Sequence, residues 1–288
     1  AWSDAQVDAL AQALDDAATS ETLDPAFKAN ALSLPAESLV ARAIGREVDP
    51  DRIQVVRNQL LAAIAARIEG TLEQTCRQNA GTLPYSPDFR QAGQRSLRNA
   101  ALSLLVTGRA RNGPEFAREQ YRTAANMTDR FAALTAIVAA WTPDAPALLG
   151  DFRTMYTADP LVFDKWLALN GMATDTAALD RIKALLADPA FPRNNPNRLR
   201  ALVGTFGMNN PTQFARANGD GFRFLTEFVA DVDQRNPQVA ARVLTAFRVW
   251  RSFEPVRRAE AEKALKSLQE SAELSRNTAD ILGRTLGG

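Results

Sequence analysis

The side chains best placed for chemistry are polar residues at two helix starts in the last third of the sequence. Gln238 and Arg242 follow an Asn-Pro pair and are spaced one helical turn apart, away from the apolar stripe of Val239 and Val243. Backbone N–H groups also point outward at a helix N-terminus. An amide, a guanidinium and free N–H groups can together bind a carboxylate or a peptide carbonyl. Residues 193–200 hold a similar start, rich in Asn and Arg.

The same residues also have a purely structural interpretation. Asn-Pro is a good helix start, because Asn can accept a bond from a free backbone N–H and proline needs none. Arginines in helical proteins usually form salt bridges. The residues alone leave both interpretations open.

Catalytic and metal-binding side chains are scarce. The chain of 288 residues has no histidine, the commonest general base and zinc ligand, and Cys76 is its only cysteine. A cysteine nucleophile needs a depressed pKa, so we expect Cys76 to be a partly buried side chain on a helix. We expect no catalytic residue, metal or cofactor in this chain. A lone cysteine also fits a reducing compartment, and we predict a cytoplasmic location.

Charge and hydropathy argue against two classes of binding partner. The 34 Lys and Arg balance the 33 Asp and Glu, so no strong field attracts nucleic acid or a membrane surface. The longest apolar runs, such as residues 60–66 and 134–141, are far shorter than the roughly 20 residues that cross a bilayer. We therefore expect neither a nucleic-acid nor a membrane partner.

The elements that position these residues are helices. Apolar residues recur at spacings of three and four along nearly the whole chain, and no stretch alternates like a strand. Pro-containing start signals punctuate the pattern. They predict helices over residues 2–18, 25–32, 36–44, 50–79, 87–107, 113–125, 128–141, 145–157, 160–171, 175–187, 196–207, 211–217, 220–234, 237–250, 254–272 and 275–285.

Helices this numerous, joined by short turns, pack as antiparallel neighbours. We predict an all-α fold, an irregular HEAT- or armadillo-like α-solenoid in which antiparallel helix pairs form a right-handed superhelix. No linker-like composition interrupts the pattern, so residues 1–288 are predicted to form a single domain.

Several segments resemble one known family. Residues 195–200 read Asn-Pro-Asn-Arg-Leu-Arg, and residues 235–242 read Arg-Asn-Pro-Gln-Val-Ala-Ala-Arg. With residues 31–35, 96–100, 126–130 and 164–166, in the same order, they resemble the C-terminal helical domain of bacterial aminopeptidase N. These enzymes are zinc-dependent alanyl aminopeptidases of the gluzincin metallopeptidases. The likeness covers nearly the whole chain.

The resemblance implies a piece of a larger hydrolase. Family members place a catalytic domain with His-Glu-x-x-His and a small β-sandwich ahead of this helical domain, which encloses the substrate cavity and restricts peptide entry. Zinc and release of N-terminal amino acids would belong to the parent, and this chain alone would not be an enzyme. Its partners would be those domains and peptide substrates. By the same resemblance Gln238, Arg242 and Arg200 would line the cavity, with Arg198 as a weaker candidate that could instead pair structurally.

Two other functions remain open at this point. One is an independent α-solenoid scaffold that binds a protein or peptide partner. The start at Ala1, without an initiating methionine, leads us to expect a fragment of a larger protein instead. The other is a self-sufficient hydrolase that uses Cys76 or carboxylates.

Overall fold

A computed structural model describes residues 2–81, 84–271 and 273–287, which are mostly helical. The α-helices are α1 Asp4–Thr19, α2 Pro25–Ala31, α3 Glu37–Ile44, α4 Pro50–Gln78, α5 Phe89–Thr107, α6 Gly113–Thr123, α7 Met127–Ala140, α8 Ala145–Met155, α9 Pro160–Met172, α10 Ala178–Ala187, α11 Pro196–Leu199, α12 Thr205–Asn209, α13 Pro211–Phe214, α14 Asp220–Asp233, α15 Pro237–Leu244, α16 Pro255–Ser271 and α17 Arg276–Gly287. A π-helical turn, Arg200–Gly204, joins α11 to α12, and a 3-10 segment, Thr245–Ser252, follows α15. The described ranges contain no β-strand, which confirms the all-α prediction.

The helix starts follow the signals in the sequence. A capping box begins α1: Gln6 N donates to Ser3 Oγ at 3.2 Å and Ser3 N to Gln6 Oε1 at 3.0 Å. The start predicted at residue 87 instead lies at Phe89, because Asp88 accepts from the first free N–H groups of α5. In the described part of the chain, no helix is both long enough and apolar enough to cross a bilayer.

The chain packs into two compact units, each made of two segments that are not contiguous in sequence. Unit 1 comprises Ala1–Ala36 and Gln54–Leu149, and unit 2 comprises Glu37–Ile53 and Gly150–Gly288. That residues 1–288 form a single domain stays a prediction.

A buried polar network in unit 1 joins α5, α6 and α7. Asn99 Nδ2 donates to Asp129 Oδ1 at 3.0 Å, and Gln120 Nε2 donates to Asn99 Oδ1 at 2.7 Å and to the Asp129 carbonyl at 2.9 Å. Asn126 caps α7 through Asp129 N at 2.9 Å. These bonds satisfy polar groups that would otherwise be costly to bury. They give segments 96–100 and 126–130 a structural role.

The core of unit 2 is built on phenylalanines. The rings of Phe214 and Phe222 meet edge to face at 5.0 Å, and those of Phe214 and Phe247 at 5.1 Å. Phe206 lies edge-on to Phe214 at 6.3 Å. All four residues are buried, and they fix the packing of α12, α13 and α14 against the 3-10 segment.

Two short segments of unit 2 pair beside the start of α16. Val48 N donates to the Ser252 carbonyl at 2.8 Å, and Glu254 N to the Val48 carbonyl at 3.0 Å. An isolated parallel bridge links Val48 and Phe253. The pairing joins residues some two hundred positions apart in sequence.

Arg257 anchors this pairing from inside unit 2. It is 5% exposed, donates to the Ala215 carbonyl at 2.6 Å and pairs with Glu254 at 3.0 Å and with Asp51. Burial opposes ionisation of Glu254, but backbone N–H groups and the Arg257 guanidinium hold its pKa below the usual value. For Asp51, burial outweighs Arg257 and raises the pKa.

Candidate functional site

The candidate site is built from helix starts in unit 2. Asp159 accepts from Leu161 N at 2.9 Å before α9, Asn195 from Asn197 N at 3.0 Å before α11, and Asn236 from Val239 N at 3.1 Å before α15. Each cap precedes a proline at the first helical position. These three predicted starts are confirmed.

The start at Asn210-Pro211 differs from these three. Asn210 is fully buried and makes no side-chain cap for α13. Its Nδ2 instead donates to the carbonyls of Gly171 at 3.0 Å and Ala173 at 2.7 Å. This side chain therefore joins the end of α9 to the end of α12.

Contacts along α9 show that it runs in the same direction as α11 and α12. Arg198, near the start of α11, bonds to the carbonyl of Pro160, the first residue of α9. Further along, a Cβ at Gly171 would lie 2.5 Å from the carbonyl oxygen of Leu202 in the π turn. Only glycine permits this close approach. The starts of α9 and α11 therefore lie at the same end.

The start of α15 lies at the same end as the starts of α9 and α11. The π turn packs against α15, and further along a Cβ at Gly207 would lie 2.9 Å from the Cβ of Ala246, just beyond the end of α15. The two segments therefore also run in the same direction. The polar starts of α9, α11 and α15 lie along one edge of unit 2.

Gln238 and Arg242 are on this edge and are not buried, while Val239 and Val243 of the same helix are buried. This is the face separation that their spacing predicts. Such a pair can bind a peptide through hydrogen bonds alone, without a metal ion or a covalent bond. Its amide and guanidinium can donate to carbonyl or carboxylate oxygens.

Arg200 is exposed at the start of the π turn. Its Nη2 donates to Asn197 Oδ1 at 2.5 Å, which uses one of five guanidinium N–H groups. The bond orients the side chain from within the same turn. Arg200 can therefore present a cation beside the start of α11.

Arg198, unlike the exposed Arg200, is turned toward α9. It is 8% exposed, donates to the Pro160 carbonyl at 2.7 Å, forms an ion pair with Asp164 and lies 5.1 Å from the ring centre of Phe163. The guanidinium thus holds α11 against α9. This geometry favours the pairing role, and a cavity-lining role for Arg198 stays a prediction without support from its contacts.

Sequence reasoning missed the partners of Arg198. Phe163 and Asp164 lie one turn after Pro160 on α9, a spacing that could have marked them as neighbours of its carbonyl. The contact gives segment 164–166 a local structural explanation.

Shallow grooves flank two of the helix starts. One, of about 690 Å³, borders the start of α11 and is lined by Phe191, Pro192, Arg193, Asn194, Asn195 and Pro196. The other, of about 490 Å³, borders the start of α9 and is lined by Met155, Tyr156, Ala158, Asp159, Pro160 and Leu161. Both are open enough to contact an extended chain.

The surroundings of Cys76 disfavour the thiolate that a nucleophile requires. It is 4% exposed on α4, and burial raises the pKa of its thiol to about 12. Cys76 lies on a helix as predicted, and it is buried more fully than the partly buried side chain that the sequence led us to expect.

A family model covers almost the entire chain. The family, described as a domain of unknown function (DUF3458_C) with ARM repeats, matches residues 2–287. Together with the helical structure, this confirms the predicted armadillo-like fold class.

Curated relatives of this chain include bacterial proteins named aminopeptidase N. The chain is 32% identical over 255 residues to aminopeptidase N of Escherichia coli K12, covering 88% of this chain and 29% of that protein. It is 34% identical over 281 residues to aminopeptidase N of Caulobacter vibrioides, covering 97% of this chain and 32% of that protein. The chain thus spans about a third of the length of these relatives.

A solved structure shares the fold. Legionella pneumophila aminopeptidase A, in complex with aspartic acid, superposes with a TM-score of 0.85 over 99% of this chain and 36% of that chain. At 21% identity, this likeness is evidence for the fold alone.

Proposed function

The chain belongs to the DUF3458_C family of ARM repeats, and from that premise we propose that it is the C-terminal helical domain of a zinc aminopeptidase, where it encloses the substrate cavity and controls peptide access. The chain is homologous to the C-terminal region of aminopeptidase N. The hydrolytic centre of the parent would lie in the two thirds of its length that this chain does not span.

One observation carries the proposal at residue level. The parallel course of α9, α11–α12 and α15 places Arg200, Gln238 and Arg242 along the same edge of unit 2. Donors that lie near helix N-termini on one edge suit the carbonyl and carboxylate oxygens of a peptide. Such an edge can hold and orient a peptide without taking part in bond breaking.

Zinc belongs to the parent in this proposal. The chain has no histidine, and among the described residues no three His, Cys, Asp or Glu side chains lie close enough to hold a metal ion. The residues present therefore do not fit the catalytic zinc of the family. The action of this domain would be positioning and exclusion, in a cytoplasmic enzyme.

Kinetics of the complete parent protein test this function. We expect Gln238→Ala with Arg242→Ala to raise KM for tripeptides about tenfold, because charge-assisted hydrogen bonds contribute roughly 1.5–3 kcal/mol when made. The kcat for a single-residue chromogenic amide should change less than twofold. Arg111→Ala, at an exposed arginine of unit 1, is the matched control.

An unchanged KM for every peptide length would contradict a cavity-lining role. A natural coding region limited to this segment would instead favour the independent scaffold. Zinc-stimulated turnover by residues 1–288 alone would favour the self-sufficient hydrolase.

A further inference from the structure

Three aromatic side chains of unit 1 are unusually exposed at the starts of two packed helices. Phe89, at the first position of α5, is 91% exposed; Phe27 on α2 is 54% exposed and Tyr85, just before α5, is 58% exposed. We name Phe27, Tyr85 and Phe89 the aromatic patch. At about 200 Å² per ring, it leaves on the order of 400 Å² of aromatic surface in water. That is the size of the largest apolar patch on a typical monomer, and such patches are often functional.

The patch is held together by the packing of α2 on α5. A Cβ at Gly93, one turn after Phe89, would lie 3.3 Å from Ala26 N, in the first turn of α2 and next to Phe27. The first turn of α2 therefore lies beside the second turn of α5. Phe27 is next to this contact in sequence, and Phe89 is one helical turn from it.

Local bonds fix its backbone. Asp24 accepts from Phe27 N at 3.0 Å, and Asp88 accepts from Gln91 N at 3.0 Å. Gln91 in turn accepts from Ser86 N at 3.0 Å, next to Tyr85. The patch is thus presented by capped, bonded backbone, which lowers the entropy lost on binding.

An arginine secures the third ring. The Arg95 guanidinium lies 4.7 Å from the ring centre of Tyr85 and donates to the Ser86 carbonyl at 2.9 Å. Aromatic rings with an arginine beside them are the composition typical of interface centres.

We propose that the aromatic patch is the surface on which the preceding part of the parent chain docks. The length of the relatives argues for this partner. The matched region covers 88–97% of this chain but only 29–32% of the aminopeptidase N relatives, so most of such a parent lies outside it. The inference rests on the proposed function, since it requires a parent chain, but it concerns a different surface from the Arg200, Gln238 and Arg242 edge.

Cleavage of the complete parent tests the docking. A protease site placed just before residue 1 is cut, and the two pieces are followed by sedimentation. We expect the unmutated pieces to stay together and Phe27→Asp with Phe89→Asp to weaken their association at least tenfold. Leu39→Asp, at a side chain of unit 2 that is 57% exposed, is the matched control and should leave it unchanged.

Since both phenylalanines are exposed, the variant should fold, and circular dichroism of the released piece checks this. In the uncut protein, hydroxyl-radical oxidation of Phe89, normalised to unfolded protein, should be at least fivefold slower than that of Leu39. Equal rates, unaltered association of the aspartate variant, or separation of the unmutated pieces would each overturn the proposal.

Two further outcomes locate a failure. If the aspartate variant only halves the mass of the complete protein, a second copy occupies the patch and the docking proposal is wrong. If docking holds while peptide KM is unaffected by the Gln238 and Arg242 variants, the proposed cavity role fails and the docking proposal stands.

Discussion

Replacing Arg198 by leucine should destabilise unit 2 by about 3 kcal/mol. The change removes a charged donor from the Pro160 carbonyl, worth roughly 1.5–3 kcal/mol, and a cation–π contact with Phe163 worth about 0.5–2 kcal/mol. It also leaves the Asp164 carboxylate unpaired. Since that side chain is 22% exposed, the cost of about 3–5 kcal/mol for a fully buried pair applies only in part.

Urea unfolding followed by tryptophan fluorescence measures this effect. Trp166 stacks on Phe163 with centroids 5.3 Å apart, so it reports on the affected region. Arg200→Leu, two positions away but exposed, should cost less than about 0.5 kcal/mol. Adding Asp164→Leu to Arg198→Leu should recover part of the loss, because the unpaired carboxylate is gone. Equal stability of the Arg198 and Arg200 variants would refute the assignment of Arg198 as the link between α9 and α11.

Three other predictions follow from local contacts. Gly171→Ala should destabilise the chain by about 2 kcal/mol in urea, because its Cβ would meet the Leu202 carbonyl, whereas Gly150→Ala, with open space around its Cβ, should be neutral or stabilising; equal effects would contradict the close approach. Cys76, whose thiol pKa is raised by burial to about 12, should react with a disulfide reagent at pH 8 only in denaturant, and rapid native labelling would show the burial to be wrong. The lowered pKa of Glu254 contributes stability that is present above the pKa of the unfolded chain, near 4.3, and is lost as pH falls through the folded pKa. Glu254→Gln should therefore flatten the decline in the free energy of unfolding between about pH 5 and 3, while the raised pKa of Asp51 acts in the opposite sense. An unchanged slope of unfolding free energy against pH would count against the Arg257 cluster.

Much of the fold follows from local signals. Proline after Asp or Asn, and apolar spacing of three and four, place the helix starts to within a few residues because both act within one turn. The 3-10 segment after α15 had no such signal. There the Thr245 hydroxyl donates to the Arg242 carbonyl at 2.6 Å, and Thr245 N bonds to the same carbonyl.

Tertiary contacts decide the rest. Asn210 carries the same Asn-Pro signal as Asn236, yet carbonyls at the end of α9 bind its amide instead. The arginine pair could have been separated from sequence: residues two apart on a helix lie about 200° apart, so Arg198 and Arg200 could not share a face. Only packing shows which of them is buried.

Photocrosslinking in the complete parent protein tests the central claim most directly. A photoreactive phenylalanine analogue replaces Gln238 in one sample and Arg111, an exposed arginine of unit 1, in another. Each is irradiated with a labelled peptide that cannot be hydrolysed. If the edge that bears Gln238 and Arg242 lines the substrate cavity, position 238 should capture the peptide, unlabelled peptide should compete, and position 111 should capture none. Equal labelling at both positions, or none at position 238 while the peptide inhibits the enzyme, would contradict it.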